Sequence, residues 1–100
     1  MGIKKELKQG HREDLLEVLM LAAKDRRLLD VFLRDILTPA EYREITERWQ
    51  IVKQLEQGST QRDISRDLGV AISTITRGSR ILENPTGGAN QVLQKLLPRK

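Results

Sequence analysis

An all-α fold is predicted by three observations: apolar residues recur at helical spacing almost everywhere, no β-type alternation reaches a useful length, and Gly, Pro and hydroxyl residues stand where helices start and stop. One hundred residues with 38% hydrophobic content suit a single helical domain over residues 1–100. A chain of this size leaves much of its surface unburied and gains from association.

The first elements are "REDLLEVLMLAAKD" and "RRLLDVFLRDIL", two helices with apolar residues on more than one side. A surface helix needs one apolar stripe, so the excess predicts burial from two directions, in a core or against another subunit. "LTPAEY" opens the next helix, with Thr38 as N-cap, Pro39 at N1, Glu41 completing a capping box and Leu37 able to meet Tyr42. That helix is expected to run to Gly58 and to bury Ile45, Trp49, Val52 and Leu55.

"TQRD" is a second box-like start, with Thr60 as N-cap and the shorter Asp63 at N3. Its helix ends near Leu68, Gly69 breaks it, and a further helix begins near Ala71 and continues to Leu82 or Glu83. "NPTGG" is a linker by composition. "ANQVLQKLL" forms a last short helix before the basic end "PRK". The chain thus divides into core and dimerisation helices (1–58), a helix-turn-helix (59–83), and a linker, short helix and basic tail (84–100).

Composition narrows the function. With no Cys and 32% charged residues, the chain reads as a soluble cytoplasmic protein without disulfides, zinc-finger thiolates or a cysteine nucleophile. The apolar stretch Leu15 to Ala23 is interrupted by Glu17 and closed by "KDRR", which suits neither a signal peptide nor a membrane span. The sole histidine, His11, lies in a polar stretch; Glu13, Asp14 and Glu17 read as a solvated helix face, and no phosphate-cradling glycine loop is present. Neither an enzyme nor a metal site is expected. A net charge of +4 favours polyanionic partners, although acidic residues are interleaved throughout.

The strongest pattern is "TQRDISRDLGVAISTITRGSRIL", a short helix, a glycine turn and a second helix. Ile64 and Leu68 supply inward apolar positions four apart, Gly69 takes the turn, and Val70, Ile72 and Ile75 are expected to lock the second helix across the first. Such a steep crossing lets the second helix enter a DNA major groove. Its outer face offers Ser73, Thr76 and Arg80, with Arg62 and Arg66 from the first helix; hydroxyls and guanidinium groups suit phosphates and base edges. The same pattern also fits an αα-hairpin with a polar exposed face.

Gly78 sits inside the second helix, where it costs roughly 1 kcal/mol relative to Ala. Thr74, Arg77, Gly78 and Ile81 stand at i, i+3, i+4 and i+7 and so share one side. Two readings stay open on spacing alone. Gly78 opens a slot for a flat apolar ligand whose carboxylate meets Arg77, or it permits the close approach of another helix while Arg77 meets a phosphate.

From Leu37 to Leu82 the chain resembles the tryptophan repressors, through "LTPAE", "RWQIV", "TQRDISRDLG" and above all "STITRGS". The resemblance implies an intertwined dimeric helical bundle with a helix-turn-helix head, a homodimer that represses transcription at a palindromic double-stranded DNA operator. Half-sites would lie one turn, about 34 Å, apart, a docking geometry for which these repressors are themselves a standard example. It implies no other cofactor and one corepressor, L-tryptophan or a related small indole carboxylate. The DNA-binding positions would be Gln61, Arg62, Ser65, Ala71, Ile72, Ser73, Thr74, Thr76 and Arg80. The ligand-binding positions would be Thr38, Arg48, Val52, Thr74, Arg77, Gly78 and Ile81, with Arg48 as a second arginine beside the indole ring.

Three departures stand out. Ile81 replaces a serine that commonly helps bind the ligand's ammonium group, the "GST" turn is one residue short, and Ser65 stands where a basic side chain often supports DNA contact. Ile81 favours a rival reading, a ligand-independent helix-turn-helix regulator whose pocket is filled. The apolar first third favours another, a helical dimerisation or adaptor module.

Overall fold

A computed structural model describes residues 6–96, which form six α-helices and no strand: α1 (Gln9–Ala22), α2 (Arg26–Ile36), α3 (Pro39–Glu56), α4 (Gln61–Leu68), α5 (Ile72–Leu82) and α6 (Gly88–Leu96). The all-helical expectation holds. The basic end at Pro98–Lys100 lies outside the described residues. Internal contacts divide the chain into two compact units, one up to Tyr42 and one from Arg43 onward, and the division falls inside α3.

In the first unit α1 packs with α2. Asp25 caps α2 by accepting the Arg27 amide at 3.0 Å. Among the described residues of this unit only Ala22 is buried, and Leu15, Leu16, Met20, Leu21, Leu28, Val31 and Ile36 are exposed in the isolated chain. Two helices alone cannot cover apolar residues that point in several directions. Near the end of the unit, the Tyr42 hydroxyl donates to Asp30 Oδ1 at 2.8 Å, while Arg34 pairs with the same carboxylate at 3.1 Å. The hydrogen bond to Asp30, then desolvation, push the Tyr42 phenol above its ordinary value.

α3 opens on the reciprocal capping box expected at "LTPAEY": the Glu41 amide donates to Thr38 Oγ1 at 3.1 Å and the Thr38 amide to Glu41 Oε1 at 2.8 Å. Its buried positions differ from the expectation. Ile51 and Val52 are buried and Leu55 is half-buried, whereas Ile45 is 48% exposed. The apolar residues of α3 are too many for one stripe, and contact with the second unit's core selects Ile51. Gly58, at φ 94°, follows the helix end.

That core joins Ile51 to Ile64 of α4 and Ile75 of α5, with Leu55, Leu68 and Val70 packed around it. α4 begins where Thr60 Oγ1 accepts the Asp63 amide at 3.1 Å. The box is half made, because the short Asp63 carboxylate pairs instead with Arg66 one turn on. Gly69 ends α4 at φ 68°, a left-handed conformation that suits glycine. Ser65 Oγ then donates to the Val70 carbonyl at 2.6 Å and ties the turn. Ile72 departs from expectation: it is 46% exposed and does not lock the two helices together, a task left to Ile64, Ile75, Leu68 and Val70. Ile72 is the first residue of α5, about one turn before Ile75, which takes the core position.

The stretch after α5 is held rather than loose. Asn90 Nδ2 donates to the carbonyls of Leu82 at 3.1 Å and Asn84 at 2.7 Å, and Asn84 in turn accepts the Thr86 and Gly87 amides. This ties α6 to α5, and Leu93 is buried.

Candidate functional site

α5 presents two different faces. On one, Ser73, Thr76 and Arg80 are exposed, together with Ala71 and Ile72 at the helix start and with Arg62 on α4. Arg62 and Arg80 have no ion-pair partner among the described residues, whereas Arg66 is held by Asp63. The Thr76 hydroxyl donates to the Ile72 carbonyl at 3.1 Å, and Gln61 Oε1, on the first residue of α4, lies 3.4 Å from the same hydroxyl as an alternative acceptor. Ala71, at the N-cap of α5, supplies no side-chain cap. The first amides of α5 therefore lack a side-chain acceptor, as suits a helix end that approaches phosphate. Ser65, by contrast, has its hydroxyl engaged with Val70 inside the turn.

The other face of α5 lines a cleft of about 600 Å³, within the roughly 300–1,000 Å³ usual for small-molecule sites. α5 contributes Thr74, Arg77, Gly78 and Ile81, the four positions that spacing placed together. α3 contributes Arg43, Glu44, Glu47, Arg48 and Ile51, and the turn adds Val70 and Ala71. Arg77 and Arg48 thus face one cavity, a pair of guanidinium groups suited to a carboxylate. Of the other expected ligand positions, Val52 is buried and does not line the cleft. Thr38 belongs to the first unit, where its hydroxyl accepts the Glu41 amide.

Gly78 both lines the cleft and admits Ile51. A Cβ at this position would stand 2.8 Å from Ile51 Cγ2, closer than real Cβ contacts allow. The open slot expected at the glycine is therefore occupied on its α3 side by a methyl group, and only the remainder of that wall is free for a ring.

Sequence spacing on α5 identified its share of the cleft, and Arg48 entered only through the family resemblance. Glu44, Glu47 and Ile51 are not among the expected positions, although with Arg48 they stand at i, i+3, i+4 and i+7 on α3, the same spacing as Thr74, Arg77, Gly78 and Ile81 on α5. The repeated spacing on two helices is the signal that would have found them. Among the described residues, no group of His, Asp or Glu could hold a metal ion, and no helix is long and apolar enough to cross a membrane.

The family model described as Trp repressor protein matches residues 8–97. A Trp operon repressor homolog of Photobacterium profundum is 39% identical over 88 residues, 87% of this chain and 82% of the relative. One from Vibrio cholerae is 41% identical over 69 residues, 68% of this chain and 67% of the relative. One from Chlamydia trachomatis is 36% identical over 69 residues, 64% of this chain and 73% of the relative. No solved structure matches the chain.

Proposed function

Because the chain belongs to the Trp repressor family and is on that ground a transcriptional repressor and not an enzyme, we propose that it works as a cytoplasmic homodimer on a palindromic DNA operator, with L-tryptophan or a related indole carboxylate as corepressor in the cleft. The observation that carries this reading is the double use of α5. Ser73, Thr76 and Arg80 are exposed for base edges and phosphates, while Thr74, Arg77, Gly78 and Ile81 of the same helix line a cavity that holds two further arginines. A ligand seated there touches the reading helix directly. Its binding energy can bias the helix's position by the amount it prefers one arrangement over another.

The dimer is supported by the first unit, whose exposed Leu, Val, Ile and Met residues on α1 and α2 need a second copy to cover them. Two-fold symmetry then pairs two α5 helices with two half-sites.

Ile51 against Gly78 and the apolar Ile81 favour a second reading, in which the head binds DNA without a ligand. Selection of binding sequences from a pool of random duplexes, with and without L-tryptophan, separates the two. The corepressor reading predicts a palindrome with half-sites about one helical turn apart, enriched only with L-tryptophan and lost with Arg62→Ala or Thr76→Ala. Equal enrichment without L-tryptophan supports the ligand-independent reading. Enrichment of no sequence in either condition refutes both.

A further inference from the structure

The α3 wall of the cleft carries carboxylates as well as guanidinium groups. Arg43, Glu44, Glu47 and Arg48 all line it, and Arg77 comes from α5, so three cations and two anions surround one cavity. Such a lining is bipolar with a small positive excess. The arginines suit a carboxylate, and Glu44 and Glu47 are the charged lining groups that suit an ammonium.

Glu47 is the more telling of the two. It is half-buried, whereas Glu44 is exposed, and exposure to water and salt screens a charge. Among the described residues the ion pairs are Arg34 with Asp30 and Arg66 with Asp63, so Glu47 is unpaired even with Arg43 one helical turn before it. Among the described residues no hydrogen bond to its side chain is formed either, in contrast to the carboxylates of Asp25, Asp30 and Glu41. A half-buried carboxylate without a protein partner is open to a cation, and a charge-assisted hydrogen bond to an ammonium is among the stronger polar contacts. The apolar wall residues Ile51 and Ile81 offer an ammonium nothing, which leaves the carboxylates as its anionic partners.

We propose that Glu47 is a specificity residue that accepts the ammonium group of an α-amino acid whose carboxylate lies on the cleft arginines, so that the cleft prefers the zwitterion to the amine-free acid. This rests on the proposed corepressor cleft and names the chemistry of its ligand. Glu47 takes up a charge that Ile81 cannot, and the arginines and the glutamate together fix which end of the ligand lies where.

Calorimetric titration of the full chain with L-tryptophan and with indole-3-propionate tests it. The expected result is tighter binding of L-tryptophan, a loss of about tenfold or more for L-tryptophan in Glu47→Gln with indole-3-propionate unchanged or tighter, and a preference retained in Glu47→Asp, which keeps the charge. Circular dichroism of each variant confirms that it is folded. Indole-3-propionate binding the wild type as tightly as L-tryptophan overturns the role of Glu47 and leaves the cleft reading intact, as does an equal loss of both acids in Glu47→Gln. Binding of neither acid by the wild type refutes the cleft reading itself.

Discussion

Ile51 and Gly78 meet so closely that a side chain on one excludes the other: a Cβ at residue 78 would lie 2.8 Å from Ile51 Cγ2 and 3.6 Å from Ile51 Cβ. Ile51 is β-branched and only 1% exposed, so it has little room to turn away. Gly78→Ala gains about 1 kcal/mol of helix propensity and incurs about 1–3 kcal/mol of overpacking. The net expectation is a loss of about 1 kcal/mol in urea unfolding, combining those two effects. In an Ile51→Ala background the clash is gone, and the same substitution is expected to stabilise. A double-mutant cycle reads this reversal of sign.

The turn between α4 and α5 depends on Ser65. Its hydroxyl donates to the Val70 carbonyl at 2.6 Å across Gly69. Ser65→Ala removes the donor without altering any charge, and is expected to cost about 1 kcal/mol of stability. It should also weaken DNA binding by loosening the angle of α5. Unchanged unfolding in urea would show that the turn is held by Gly69 and packing alone.

Tyr42 is the chain's sole tyrosine, so its titration can be followed by ultraviolet absorbance without ambiguity. The hydrogen bond to Asp30 holds the phenol above its ordinary value of 10.0. A raised folded-state value means that this contribution to stability is fully present below pH 10.0 and is lost as pH rises through the folded value. The expected titration midpoint lies above that of a free tyrosine. Asp30→Asn removes the carboxylate and returns it toward 10.0.

Arg77 is exposed at the cleft and has no ion-pair partner among the described residues. Substitutions at exposed sites without such contacts usually change stability by no more than about 0.5 kcal/mol. Arg77→Ala is therefore expected to leave unfolding almost unaltered while removing the response of DNA binding to L-tryptophan. Arg77→Lys keeps the charge and loses the two-pronged geometry, so a partial response is expected. A response that survives Arg77→Ala would assign the carboxylate elsewhere.

Local signals in the sequence were sufficient where the controlling interactions are themselves local. Thr38, Glu41, Thr60 and Gly69 announce helix ends because capping and left-handed turns depend on residues within a few positions. The side chains sharing a face of α5 followed from helical period alone. Ile45 and Ile51 could not be ranked that way, since both are apolar residues of α3 and only tertiary packing selects Ile51. Ile72 failed for the same reason: its spacing suits the core, yet Ile75 takes the place. The unpaired state of Glu47 was illegible too, because Arg43 at i−4 suggests an ion pair that the structure does not form.

In the proposed mechanism a ligand in the α3–α5 cleft controls how α5 meets DNA. Fluorescence anisotropy of a palindromic duplex selected by the full chain, measured as L-tryptophan is added, tests it most directly. The expected result is tighter DNA binding by about 5- to 150-fold at saturation, the usual range of coupling between two sites, with the effect abolished by Arg77→Ala. Operator affinity that stays the same at saturating L-tryptophan would show that α5 meets DNA independently of the cleft.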